Sequence, residues 1–213
     1  MKSIIQTIIR LLSSVYSYRM FIRWNAFKDF CYNCWISTKV GQIGEGSFIG
    51  RDCFLDGGGN KRIIIGKNTT IGQHSVLGVW EQYGNQVFSP ELRIGDDCHF
   101  GQYNHISTIE SVVIGNGLLT GRFVIISDNN HGDFNNENID IQPIKRELSS
   151  KGGIVIGDNV WIGDKCTILS GVSIGDGCII AANSVVTQNV PSYSVVAGAP
   201  AKIIKQLSDD QKS

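Results

Sequence analysis

Four histidines, six cysteines and a scatter of carboxylates are the side chains of this sequence that could do acid–base, nucleophilic or metal chemistry. His131 stands in the run ISDNNHGDF, three residues after Asp128 and just before Gly132. An imidazole titrates near neutral pH and can take a proton from a hydroxyl or an amine. Asp128 could orient it. Each residue has a plain structural alternative: a loop histidine held by a hydrogen bond, and an aspartate closing a turn. Cys31 and Cys34 form a C-x-x-C without the second pair that a zinc site needs. Phe30, Tyr32 and Trp35 around them suggest buried packing. A Walker loop, G-x-S-x-G and H-E-x-x-H are absent, and the glycine run at Asp56–Asn60 reads as a turn rather than a phosphate cradle.

What must position these residues is a repeat. From Ile43 an aliphatic residue recurs every six positions, most often with Gly behind it, as in Ile43-Gly44, Ile65-Gly66, Ile114-Gly115 and Ile162-Gly163. Eighteen hexads start at 43, 49, 55; 65, 71, 77; 94, 100, 106; 114, 120, 126; 156, 162, 168; and 174, 180, 186, and twelve of them have Gly second. A six-residue unit with one inward aliphatic matches a parallel β-helix. Three hexads make a triangular coil, and six coils at roughly 4.8 Å give a prism roughly 25–30 Å tall. The second-position glycine is expected to supply a positive φ where the chain turns. Cys53, Cys98, Cys166 and Cys178 fall at the fifth position with Ser47, Thr69, Ser75, Val160, Val172 and Ser184. That slot wants a small, moderately apolar side chain, which a free cysteine is.

Extra residues follow the hexads starting at 55, 77, 106 and 126, numbering 4, 11, 2 and 24. All leave from one corner of the prism, and loops on a rigid scaffold are where function concentrates. His131 ends its hexad at the mouth of the longest excursion, 132–155. His99 and His105 occupy other faces and His74 is a surface residue, so they cannot converge with His131 inside one subunit. A three-histidine metal site of the γ-carbonic anhydrase kind would need neighbouring subunits. Tyr103 and Trp80 are placed near the insertion edge, where they could stack on a sugar ring. Asn104 sits in a slot that wants a small residue, as a functional contact or a hydrogen-bonded turn.

The stretch IVIGDNVWIGDKCTILSGVSIGDGCIIAANSVVTQNVPSYSVVAGAPAKII resembles the hexapeptide-repeat acetyltransferases, above all the maltose/galactoside O-acetyltransferases and their relatives in polysaccharide and lipopolysaccharide pathways. The resemblance spans about residues 43–205. It implies a left-handed coil, acetyl-CoA as co-substrate without a metal, and a homotrimer with each site between two prisms. It also implies His131 as the base that activates a carbohydrate hydroxyl for direct attack on the thioester. Trp161 and Gly163 of VWIG match the family's residues near the cofactor arm. Ala181, Ala182 and Ser184 match its backbone run beside the coenzyme, with Asn183 replacing a glycine. Lys202 and Lys205 match the basic residues near the phosphates. The same scaffold leaves open N-acetylation of an amino sugar or antibiotic, and a catalytically silent scaffold protein.

The chain of 213 residues is 42% hydrophobic and 18% charged, with 25 Gly and 4 Pro. That excludes a disordered chain and a collagen. A formal net charge of zero gives no reason to expect nucleic acid as a partner. Residues 1–28 nevertheless carry Lys2, Arg10, Arg19, Arg23 and Lys28 and no acid. Aliphatics at 4, 5, 8, 9, 11, 12 and 15 predict an amphipathic helix that either caps the prism or makes weak contact with a membrane surface. No apolar run is long enough for a transmembrane helix, and the segment lacks a signal-peptide cleavage site. The expected location is cytoplasmic, with peripheral attachment to the inner membrane face where the helix binds lipid. The expected fold is all-β: an N-terminal helical appendage over 1–40, a β-helix of about six coils over 41–191 and a short C-terminal tail or helix over 192–213.

Overall fold

An aliphatic residue at every sixth position can be buried only if the chain turns between hexads and stacks on itself. The computed structural model describes residues 2–15, 17–132 and 140–207, and its strands are short and stacked in this way. The first face is a six-stranded parallel sheet running Gln42–Ile43, Ile63–Ile65, Glu91–Ile94, Ser111–Ile114, Ile154–Ile156 and Ser173–Ile174. The third face is another, from Phe54–Asp56 to Val185–Val186. The second runs from Phe48–Ile49 through Leu119–Thr120, Trp161–Ile162 and Ile179–Ile180. This is the expected left-handed parallel β-helix. Register follows the hexads: Ile43 pairs with Ile65, Ile65 with Ile94, Ile94 with Ile114, Ile114 with Ile156 and Ile156 with Ile174. Ile65, Ile94, Ile114, Ile156 and Ile174 are all at most 2% exposed. Each contributes roughly 1.5–3 kcal/mol by burial.

The second-position glycines serve a different purpose from the expected one. The left-handed residues are at the fourth position, where Asp52, Asn68, His74, Asp97, Tyr103, Phe123, Asn159 and Lys165 have φ between 52 and 61°. At the second position the next coil passes too close for a side chain. A Cβ on Gly101 would stand 2.2 Å from the carbonyl oxygen of Gly121, and one on Gly72 2.3 Å from that of Gly101. At the fifth position several side chains also donate. Ser47 and Thr69 donate to the carbonyls of Gly66 and Gly95 at 2.6 and 2.8 Å, and Cys98 and Cys166 to those of Gly115 and Ala181 at 3.2 and 3.0 Å. Where the slot holds Ser, Thr or Cys, the side chain also satisfies a corner carbonyl of the adjacent coil, while Val160 and Val172 fill it by size alone. Burial pushes the Cys53 thiol up to about 11 and raises those of Cys98, Cys166 and Cys178, so these thiols are poor nucleophiles.

Helix α1 covers Lys2–Val15 and helix α2 covers Tyr18–Ser37. The last turns of α2 close the open end of the prism. Asn33 Oδ1 accepts the Ile49 N–H at 2.9 Å, Tyr32 donates to the Cys53 carbonyl, and Ile36 and Val40 enter the core. Cys31 and Cys34 are exposed on this helix rather than packed beneath it, because the burying face is the one carrying Ile36. At the other end the segment expected to trail off as a tail or helix forms strands. Ser194–Gly198 pairs in parallel with Ile179–Ile180, and Ala201–Gln206 folds back against it. Val196 supplies the inward aliphatic that makes this further coil worthwhile.

Candidate active site

All insertions leave from the corner between the third and first faces. The 11-residue insertion builds a hairpin, Gln82–Tyr83 against Gln86–Val87. Of the excursion expected over 132–155, residues 133–139 lie outside the described residues. The chain leaves through Asn130–His131 and returns through Leu148–Ser149, which pair antiparallel with His131 opposite Leu148. The two insertions are locked together. Gln86 accepts the Leu148 N–H at 2.7 Å and donates to its carbonyl at 3.0 Å. The hairpin and the returning loop, at Tyr83–Gln86 and Ile144–Glu147, border a cleft of about 490 Å³.

His131 is exposed at this corner, and its Nδ1 lies 3.3 Å from the hydroxyl of Tyr83. That hydroxyl has one proton, which it gives to the Ile144 carbonyl at 2.7 Å. Its oxygen is therefore an acceptor toward the imidazole, which selects the tautomer with the proton on Nδ1 and puts the proton-accepting lone pair on Nε2. The Tyr83 ring meets the imidazole edge-on at 5.4 Å, and Trp80 meets Tyr83 edge-on at 6.4 Å. Trp80 is thus at the insertion edge, as expected. Tyr83 and Gln86 were not singled out in the sequence. Their signal was their place in an insertion on the same corner as His131.

Other expected site residues are elsewhere. Asp128 is fully buried and does not face His131 as a partner. Its carboxylate accepts the N–H groups of Ile109, Glu110 and Ser111 at 2.8, 3.0 and 2.9 Å and the Thr108 hydroxyl at 2.5 Å. The aspartate closes the turn of the preceding coil. Asn104 is also interior: it donates to Thr120 Oγ1 at 2.6 Å and accepts the Val124 N–H at 2.8 Å, so it stands in for a small fifth-position donor. Tyr103 lies at the corner between the second and third faces, stacked between His74 at 4.8 Å and Phe123 at 5.0 Å. It is away from the insertion edge because the fourth position of its hexad belongs to another corner.

The residues expected near a coenzyme gather along the second face and that same corner. Trp161 is exposed between Leu119 and Ile179 in the ladder. Gly163 abuts Ala182, where a Cβ would stand 2.6 Å from the amide nitrogen. Lys202 and Lys205 are exposed on the last strand. Ser184 is fully buried, and its hydroxyl accepts the Gly198 N–H at 3.2 Å, so its side chain serves the coil. His131 and Trp161 therefore occupy different corners of one prism. Among the described residues no three histidine, cysteine or carboxylate side chains gather as for a metal ion.

A family model described as "Bacterial transferase hexapeptide (six repeats)" matches residues 153–188. Over 166 residues the chain is 38% identical to the inferred lipopolysaccharide biosynthesis O-acetyl transferase WbbJ of Escherichia coli (strain K12), covering 75% of this chain and 79% of that one. The chain belongs to the hexapeptide-repeat acetyltransferase family. As a member of it, the protein is an acyltransferase. A solved galactoside acetyltransferase in complex with coenzyme A aligns with a TM-score of 0.56 at 25% identity, covering 84% of this chain and 71% of that one. An N-acyltransferase of Bacillus cereus, AntD, solved with dTDP and coenzyme A, aligns with a TM-score of 0.67 over 81% of this chain and 87% of its own. At 19% identity that likeness speaks for the hexapeptide acetyltransferase fold alone.

Proposed function

We propose that the protein transfers an acetyl group from acetyl-CoA to a hydroxyl of a sugar in surface polysaccharide or lipopolysaccharide synthesis, with His131 as general base. The observation that carries this reading is the Tyr83–His131 contact, which puts the proton-accepting lone pair on Nε2 of an exposed histidine at the loop-lined corner. Nε2 takes the proton of the acceptor hydroxyl as its oxygen attacks the thioester carbonyl. The tetrahedral oxyanion collapses, the carbon–sulfur bond breaks, and the coenzyme A thiolate leaves. Backbone N–H groups at a coil corner stabilise the oxyanion. A covalent acyl-enzyme has no support, since the four core thiols are buried with raised pKa values.

The site is completed by a second subunit in a homotrimer. Trp161, the exposed Ala182, and the cations Lys202 and Lys205 suit a pantetheine arm and phosphates, but they lie on another edge from His131. A neighbour's second-face edge set against the insertion corner brings both halves together. Exposed Leu119, Phe123, Ile125, Tyr103 and Trp161 give that edge the apolar surface such packing needs. O-acetylation is favoured over N-acetylation by the likeness to WbbJ across most of both chains. Release of thiol from acetyl-CoA is the test, run against a panel of sugars and amines. Turnover with sugar hydroxyls supports the reading; turnover with amines alone, or failure to bind coenzyme A, defeats it.

Tyr83→Phe is expected to lower kcat about tenfold, the effect of one lost hydrogen bond of about 1.4 kcal/mol, with little change in the KM for acetyl-CoA. A changed KM with unaltered kcat would remove Tyr83 from the role of positioning the imidazole.

A further inference from the structure

Only the last turns of α2 serve the prism. Before Asp29, the two helices carry apolar side chains that nothing among the described residues covers. Every described side chain of α1 is exposed, and Ile4, Ile5, Ile8, Ile9 and Leu12 are each half or more exposed. Their spacing of three and four puts them on one face, with Lys2 at its margin and Gln6, Arg10 and Ser13 beyond it. The first turns of α2 carry an exposed i, i+3 ridge of Phe21, Trp24 and Phe27. Trp24 stacks on Phe27 at 5.7 Å, and Tyr18 on Phe21 at 6.3 Å. Asp29, the first acid of the chain, faces the prism, 3.6 Å from Arg51 and accepting from Gln73 at 3.2 Å.

Charge decides what this surface can meet. Residues 2–28 carry five cations and no acid. Two copies packed face to face would set five positive charges against five. An anionic lipid surface supplies an apolar depth for the aliphatic face, a boundary layer where aromatic rings settle, and negative headgroups for the cations. No helix among the described residues is long and apolar enough to cross a membrane. We infer that residues 2–28 dock the enzyme onto an anionic membrane surface, lying in the interface plane with the prism held in water at its capped end. In the trimer proposed above three such segments act together, and multivalency strengthens an attachment that is weak for one helix. Docking is separable from acetyl transfer, because α1 shares no residue with the insertion corner.

The experiment is co-flotation of the full chain with phosphatidylcholine vesicles, with and without phosphatidylglycerol, at low and high salt. The protein is expected to float only with the anionic vesicles, and less as salt rises. Ile5→Asp/Ile8→Asp/Leu12→Asp should weaken binding at least about 100-fold. Arg10→Glu/Arg19→Glu should weaken it about fivefold or more per cation lost. Both variants should keep the thermal melt and thiol release of the parent, since these side chains are exposed. No flotation with anionic vesicles overturns the inference, as does flotation that neither variant changes. So does an aspartate variant that dissociates an oligomer while leaving vesicle binding intact, which would make the occupant a second copy.

Discussion

Replacing His131 with alanine is expected to lower kcat about 10²–10⁴-fold, the usual contribution of a positioned general base and about 3–5 kcal/mol of transition-state stabilisation. The fold should not notice. The imidazole is exposed, so its loss opens no core cavity, and Tyr83 keeps its bond to the Ile144 carbonyl. Rates of thiol release at saturating acetyl-CoA and acceptor, with a thermal melt on the same sample, separate chemistry from folding. An unchanged kcat would move the base elsewhere. A matching fall in melting temperature would make His131 a structural residue of the ribbon it forms with Leu148.

Asp128→Ala should do the reverse. Its carboxylate accepts three backbone N–H groups, the Thr108 hydroxyl and the Asn129 amide at a buried corner, and removing it strands the three N–H groups and the hydroxyl. Unsatisfied buried donors cost roughly 1–3 kcal/mol each when nothing relaxes, and some relaxation brings the total to roughly 3–5 kcal/mol. For a chain of this length that is about 10–15 °C in melting temperature. Below the melt, kcat per folded molecule should fall less than about tenfold, because the carboxylate is spent on the turn at 108–111 rather than on the imidazole. A stable variant with kcat as low as that of His131→Ala would reverse this assignment and return Asp128 to catalysis.

The two substitutions contrast because residues three apart in the same hexad point in different directions. His131 ends its hexad on the outside. Asp128 is turned inward, and all its partners but the neighbouring Asn129 amide come from the coil before it, 17–20 residues back in the chain. Those distant partners have no signature in the local run ISDNNHGDF. Asn104 repeats the lesson: it looks too polar for its slot until Gly101, Thr120 and Val124 are seen around it. Tyr83 went unnoticed for a related reason. It lies 48 residues from His131, and only the stacking of two coils brings their insertions to one place.

Periodicity is a local property, and what depends on it was readable from the residues alone: the hexad register, the buried aliphatics, the inward cysteines and the single corner from which the loops leave. Two readings had the right position and an incomplete cause. The second-position glycines answer to the approach of the next coil, and the fifth-position Ser, Thr and Cys to its corner carbonyls. Which side chains meet across coils was left to the tertiary structure, as was how one N-terminal segment is divided. The cap and the membrane-facing helix had been alternatives for the same residues. The structure gives the cap to the turns of α2 that carry Asn33 and Ile36, and leaves α1 exposed. The physical reason is one of reach: the end of the prism is only a few residues wide, so it can bury the last turns of a helix and no more.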